Sequence, residues 1–197
     1  MAGPSRGRRE SFAERRERRA AVDDPAVVLE AAARFLEARS RSVHEVRRRL
    51  GGAGYRTELV EGAIERLTEL GMLDDEVFAR AWVESRDRAQ PRGERAIRDE
   101  LRLKGIDRRT IDVVLGERQD RAVAAGAANP DGGDVETVSA DRAAAERLLA
   151  KNARALARVG NPRQRRQRAY ALLARLGFDP ETCRDVAATV VEAPDAD

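Results

Sequence analysis

The sequence predicts an all-α protein in which one helical unit is repeated three times, the units stacking into an elongated array. Three observations predict it. A leucine, a glycine four residues later and then a large apolar residue recur as Leu50-Gly54-Tyr55, Leu101-Gly105-Ile106 and Leu173-Gly177-Phe178. Glycine reaches the left-handed conformation that stops a helix, and the apolar residue after it folds back onto the last turns. Matched positions flank each stop at helical spacing: Val46, Ile97 and Ala169 before the leucine, then Val60 and Ile64, Ile111 and Leu115, Cys183 and Ala187 after the glycine. Finally, aromatics make up only 4% of 197 residues against 42% apolar, so the core is built from Leu, Val, Ile and Ala, which suits close helix packing. Charged residues reach 37%, implying the large surface of a repeat protein.

Each element follows in order. Residues 1–24 hold seven arginines and almost no apolar anchor, and read as a disordered basic tail. The first three-helix repeat, 25–71, opens at Asp24-Pro25, a cap followed by proline at the first helical position. Val28, Leu29, Ala32, Phe35 and Leu36 mark its first buried face. Ser42 and Glu45 form a capping box for the second helix and leave His44 in an exposed first turn. The third helix carries Val60, Ile64 and Leu67 inward, with Gly71 ending it.

The second repeat, 72–120, opens with Leu73-Asp74-Asp75-Glu76-Val77-Phe78. Asp74 is a natural N-cap, the next two acids complement the helix dipole, and Leu73 is placed to staple onto Phe78. A linker or insertion follows at 121–138, with turn chemistry at Asn129-Pro130-Asp131-Gly132-Gly133. The stop glycines are 51 residues apart between Gly54 and Gly105 and 72 between Gly105 and Gly177, so about twenty residues have entered there. The third repeat, 139–193, has its second and third helices opened by Asn161-Pro162 and Asp179-Pro180, and residues 194–197 are an acidic tail. Units of under fifty residues bury too little alone, so they are expected to stack.

The residues point away from catalysis. One histidine and one cysteine provide no zinc-ligand spacing, and no Gly-x-x-x-x-Gly-Lys-Ser/Thr loop is present. Cys183 occupies a slot that is apolar in the other repeats and reads as a core thiol. Surface acids pair with arginine at helical spacing, as Glu45 can with Arg49. No enzyme activity, cofactor or metal is expected. No apolar run approaches membrane-spanning length and the N-terminus is polar, so a cytoplasmic protein without membrane contact, acting as a monomer, is expected.

What remains is charge geometry. The formal net charge is only +3, so any anionic partner must be met by local clusters. One cluster comprises Arg86, Arg92, Arg95, Arg98, Arg102 and Lys104 in the second repeat; another comprises Arg163, Arg165, Arg166 and Arg168 in the third. Each run alone reads as a solvated helix face. Two runs on corresponding helices of successive units read as a basic surface for an acidic groove or a phosphate backbone.

The stretch Gly71-Met72-Leu73-Asp74-Asp75-Glu76-Val77-Phe78-Ala79, followed by Trp82-Val83 and Arg86, closely resembles the RecX family of RecA regulators. The likeness continues through Arg92-Gly93, Ile97-Arg98, Glu100-Leu101 and Lys104-Gly105-Ile106, and includes Ser42-Val43-His44-Glu45-Val46 leading to Leu50 and Gly54. The resemblance implies tandem three-helix repeats in a curved molecule that binds the RecA–single-stranded DNA filament, with single-stranded DNA as a further contact. It implies restraint of RecA's ATP hydrolysis, filament growth and strand exchange without a reaction of the protein's own. The competing class is a helical protein acting directly on DNA through its basic surface, with the N-terminal tail as an arm.

Overall fold

A computed structural model describes residues 10–127 and 139–192, all of whose regular elements are helices. They are α1 (Phe12–Ala20), α2 (Pro25–Glu37), α3 (Val43–Ala53), α4 (Thr57–Glu69), α5 (Asp75–Ala89), α6 (Glu94–Leu103), α7 (Arg108–Ala127), α8 (Ala140–Ala157), α9 (Pro162–Arg175) and α10 (Pro180–Glu192). The fold is all-α and built of three-helix sets, α2–α4, α5–α7 and α8–α10, preceded by α1. Residues 1–9 of the expected tail, 128–138 of the expected linker and the acidic tail at 194–197 lie outside the described residues.

The three stops share one geometry. Gly54, Gly105 and Gly177 have φ of 105°, 79° and 83°. In each case the N–H after the glycine donates to the carbonyl of the recurring leucine: Tyr55 to Leu50 at 3.3 Å, Ile106 to Leu101 at 3.1 Å, Phe178 to Leu173 at 3.4 Å. These are the six-to-one bonds of a Schellman stop, and they satisfy carbonyls that the helix leaves open. The flanking positions are buried as the spacing requires, with Val46, Ile97, Ala169, Ile111 and Cys183 fully enclosed. Gly71, at φ 68°, repeats the device at the end of α4, where Met72 donates to Leu67.

The chain divides into two compact units between Phe78 and Ala79, within α5. In the first unit, Val28, Ala32, Val46, Leu50, Val60, Ile64, Leu67 and Leu73 form one core. Leu73 therefore closes the first core, its N–H bonded to the Leu67 carbonyl at 3.2 Å. In the second unit, one core joins Leu148, Leu149, Leu173, Phe178, Cys183 and Val186.

Both units tie consecutive repeats together with the same device. The first N–H of α3, on Val43, donates to Asp75 at the start of α5 at 2.9 Å. At the corresponding place 51 residues on, the first N–H of α6, on Glu94, donates to Asp141 at the start of α8, 2.9 and 3.0 Å from its two oxygens. An acid from the following repeat thus satisfies an orphan donor of the preceding one and sits at its positive helix end. The three consecutive acids at 74–76 divide this work: Asp74 accepts the Glu76 and Val77 N–H groups as N-cap, and Asp75 reaches across.

Three expectations are corrected. The segment before residue 25 contains a helix: α1 starts with a Ser11–Glu14 capping box, Arg18 pairs with Glu10, and Arg19 lies 5.8 Å from the Tyr55 ring centre. One capping box, one ion pair and a side-chain anchor order a segment too polar to bury a face of its own. Helix α7 also runs to Ala127, into the stretch expected to be linker, because Arg118, Gln119 and Arg121 still find partners there. Glu45 pairs with Arg39 rather than Arg49. Its carboxylate is turned back to the α3 N-terminus by the capping box, away from the helix's later turns.

Candidate functional site

The second-repeat cluster is organised around one carboxylate. Glu100 on α6 accepts the Trp82 indole N–H at 2.8 Å and Arg86 Nε at 2.7 Å, both from α5. Arg92 Nε approaches its other oxygen to 3.1 Å. Arg86 and Lys104 flank the Trp82 ring at 4.5 and 4.8 Å from its centre. A ring, a carboxylate and three cations thus make a partly desolvated network in which the ring's negative face and the acid share the positive charge.

The rest of α6 is largely neutralised by its own neighbours. Arg98 pairs with Glu94 and Asp112, and Arg102 with Asp99. Arg95 is exposed and has no acid partner among the described residues. The structure therefore collects Arg86, Arg92 and Lys104 around Glu100, while Arg95, Arg98 and Arg102 stay outside that group.

Helix α9 differs. Arg163, Arg166 and Arg168 are all exposed, and none pairs with an acid among the described residues. Arg165 is half-buried and its Nε donates to the Val159 carbonyl at 3.2 Å, so it fastens the helix to the preceding turn. The helix begins with Asn161 as cap and Pro162 at its first position, which leaves its first turns free to carry arginine without an acid.

Sequence reasoning missed the buried charge that joins the second and third repeats. Arg118 on α7 is only 4% exposed; it pairs with Asp87 of α5 at 3.0 Å and Asp141 of α8 at 2.6 Å. A further bond reaches the Arg92 carbonyl at 3.3 Å. Burial pushes the Asp141 carboxyl up, whereas on Arg118 it is outweighed by Asp87 and Asp141, which hold the guanidinium above its usual value. Beside this network, Gly93 N–H donates to the Leu176 carbonyl at 3.1 Å. A Cβ on Gly93 would lie 2.1 Å from the Gly177 carbonyl oxygen, so only glycine permits the approach. Arginine at 118 carries no local signal, because its partners come from 31 residues before and 23 after. Among the described residues no group of acids, histidine and cysteine is placed to hold a metal, and no helix is long and apolar enough to cross a membrane.

Comparison with known proteins bears on this arrangement. Residues 29–67 match the model of RecX, first three-helix domain, and residues 74–115 that of RecX, second three-helix domain. A protein of Mycolicibacterium vanbaalenii named Regulatory protein RecX is 33% identical over 159 residues, covering 78% of this chain and 76% of the relative. The chain belongs to the RecX family. A second RecX relative, from Mycolicibacterium smegmatis, is 31% identical over 156 residues, covering 78% of this chain and 73% of its own. The fold is shared with two RecX crystal structures. One, from Lactobacillus salivarius, has a TM-score of 0.66 at 18% identity, covering 87% of this chain and 99% of that one. The other has a TM-score of 0.61 at 21% identity, covering 82% and 70%. The RecX second-domain match runs from the Asp74 cap through the Glu100 network to Leu115.

Proposed function

We propose that this chain is a non-enzymatic regulator that binds the RecA–single-stranded DNA filament and restrains RecA's ATP hydrolysis, filament extension and strand exchange. Family membership is the support for the RecX role. The observation that carries the mode of action is the row Arg163, Arg166 and Arg168 on α9: exposed guanidinium groups without acid partners among the described residues. Such groups are available for charge-assisted, two-pronged bonds to carboxylate or phosphate. Arg95 on α6 adds a like charge, and Arg165 holds α9 in place. Arg86, Arg92, Arg98, Arg102 and Lys104 complete the proposed binding surface. Their bonds to Glu100, Asp112, Asp99 and the Trp82 ring fix their geometry before a partner arrives. The protein works in the cytoplasm on this reading.

The test is RecA's single-strand-dependent ATPase rate with this protein added at amounts well below RecA. Strong inhibition, abolished when Arg163, Arg166 and Arg168 are changed together to glutamate, is the expected result. No inhibition, with salt-sensitive binding to bare DNA, would replace the reading with direct action on DNA.

A further inference from the structure

The first repeat contains a cleft of about 750 Å³ whose walls include Phe35, Arg41, Arg48, Arg49, Tyr55 and, from α1, Arg19. Six arginines line it against one acid, Glu45. Glu45 is taken by Arg39 and by the Ser42 N–H. Arg41 lies 4.2 Å and Arg49 5.7 Å from the Phe35 ring centre. Arg41 Nε and its second-repeat counterpart Arg92 Nε are both buried without a hydrogen-bond partner, but Arg92 stands 3.1 Å from Glu100, whereas none of Arg41, Arg48 and Arg49 meets an acid among the described residues. A buried donor left over in a cationic cleft needs an explanation.

The repeat supplies one. Aligning Gly54 with Gly105 superposes Ala31, Phe35, Arg41, Arg49 and Ala53 on Trp82, Arg86, Arg92, Glu100 and Lys104. Those five first-repeat residues all line the cleft, and their five counterparts form the Glu100 network. In the second repeat the cations close on a built-in carboxylate. In the first, that carboxylate is replaced by Arg49, and the two side chains that would fill the space, tryptophan and lysine, are cut to alanine. Arg41 stands where Arg92 meets its acid. The first repeat keeps one of the three network cations, Arg41, and carries Phe35 in place of Arg86; Arg49 replaces the internal anion, and the space left opens room for an external one.

We infer that this cleft binds single-stranded nucleic acid, with a backbone phosphate among Arg41, Arg48 and Arg49 and a base laid on the guanidinium–ring stack of Phe35. Phosphate matches the arginine fork, and unpaired bases stack on aromatic rings and on guanidinium planes alike. An acidic peptide would use the charge and leave the stacked platform idle, and a duplex keeps its base faces covered. The site requires no second protein, so it goes beyond the regulator reading and stands or falls separately from it.

The experiment measures fluorescence anisotropy of a short labelled oligothymidylate with the full chain, without RecA, across a salt series. The key variant is Arg49→Glu, which reinstates the second repeat's carboxylate beside Arg41 and is expected to fold at least as stably. Affinity should fall about tenfold or more, and the salt slope should drop by about 0.7 for each phosphate no longer neutralised. Arg48→Gln, at an exposed residue without an acid partner, should weaken binding less and provides a second reading if Arg49→Glu disturbs the fold. Absent binding by the unmodified chain overturns the inference. So do a folded Arg49→Glu protein that binds like the parent, displacement by polyglutamate at equal charge, or equal affinity for duplex DNA. The RecA ATPase assay reads the other surface: failure there with strand binding intact, or the reverse, shows which of the two readings is wrong.

Discussion

The first two repeats and the third solve the same packing problem but treat their surfaces differently. In the first, Arg47 on α3 makes a two-pronged pair with Glu61 on α4, at 2.6 and 2.7 Å. In the second, 51 residues on, Arg98 on α6 pairs with Asp112 on α7. In the third, the corresponding residues are Tyr170 and Arg184, so the pair is gone and a second cation stands in the acid's place. The apolar positions and stop glycines are kept in all three. The fold therefore depends on the glycine stop and the buried stripe, and the cross-helix ion pair is an optional addition that half-exposed charges make weak. In the third repeat its loss puts Arg184 in the acid's place, one more cation in the unit that carries the α9 arginines.

The largest effect should come from the buried link rather than any surface pair. Arg118→Met leaves Asp141 without its cation, and Asp87 with only Arg147 at 3.9 Å, in a site where Arg118 itself is 4% exposed. Removing one partner of a buried pair costs about 3–5 kcal/mol. Urea unfolding should show that loss in the unit containing α7 and α8; a change as small as that of a surface arginine would mean the network is hydrated.

Next come the stops, which are alike in backbone and unlike in surroundings. At Gly71 an added Cβ meets nothing within 4 Å, so Gly71→Ala should cost only left-handed strain, about 1–2 kcal/mol. At Gly177 the Cβ would lie 2.5 Å from Ala96 Cβ and 2.8 Å from its nitrogen, adding a clash with the start of α6. Gly177→Ala should therefore lose about 3 kcal/mol or more. Equal losses in thermal melts would show that α6 yields freely and that the packing between α6 and the α9 stop is loose.

Much of the fold could be read directly from the chain, because each stop needs only a local signal: glycine in the left-handed region, leucine four residues back, an apolar residue next. The Asn161 and Asp74 caps were readable for the same reason. Helix α1 also had a readable signal, Ser11 and Glu14 at capping-box spacing, but the surrounding arginines masked it. The site was less legible. Runs of arginine show where cations are and say nothing of which acid each one meets. Glu100 and Asp112 neutralise much of the second-repeat run, and only a fold places them there. The first-repeat cleft was encoded in the 51-residue register, by Arg49 standing where Glu100 stands. A substitution inside a repeat becomes visible only when the repeats are aligned position by position rather than by their core alone.

Acid should weaken all three repeats modestly, through the cross-helix pairs in the first two and through the Asp179 cap in the third. Hydrogen bonding to Arg47 holds the Glu61 carboxyl below its ordinary value, and hydrogen bonding to Arg98 does the same for Asp112. A carboxyl lowered by folding contributes stability that is present above its unfolded value and is lost as pH falls through the folded one. The first two repeats should thus lose a small contribution below the ordinary carboxylate range, and Glu61→Gln should flatten that pH dependence for the first. A melting midpoint whose pH dependence is unchanged by Glu61→Gln would show the pair contributes nothing in solution.

The smallest effect is the most direct test of the comparison. Changing Tyr170→Arg together with Arg184→Glu would install in the third repeat the pair that the other two carry, on positions that are both exposed. An exposed pair of this kind contributes about 0.2–1 kcal/mol, so the melting midpoint should rise slightly or stay put. The formal charge at 170 rises by one and that at 184 falls by two, which lowers the positive field around α9 while leaving Arg163, Arg166 and Arg168 untouched. If the missing pair is what keeps α9 available to an anionic partner, the proposed RecA inhibition should weaken although none of those three arginines has changed. Stabilisation with undiminished inhibition would separate the two ideas: the third repeat would have dropped its ion pair by drift, and its arginines would act through their own geometry rather than through the field around them.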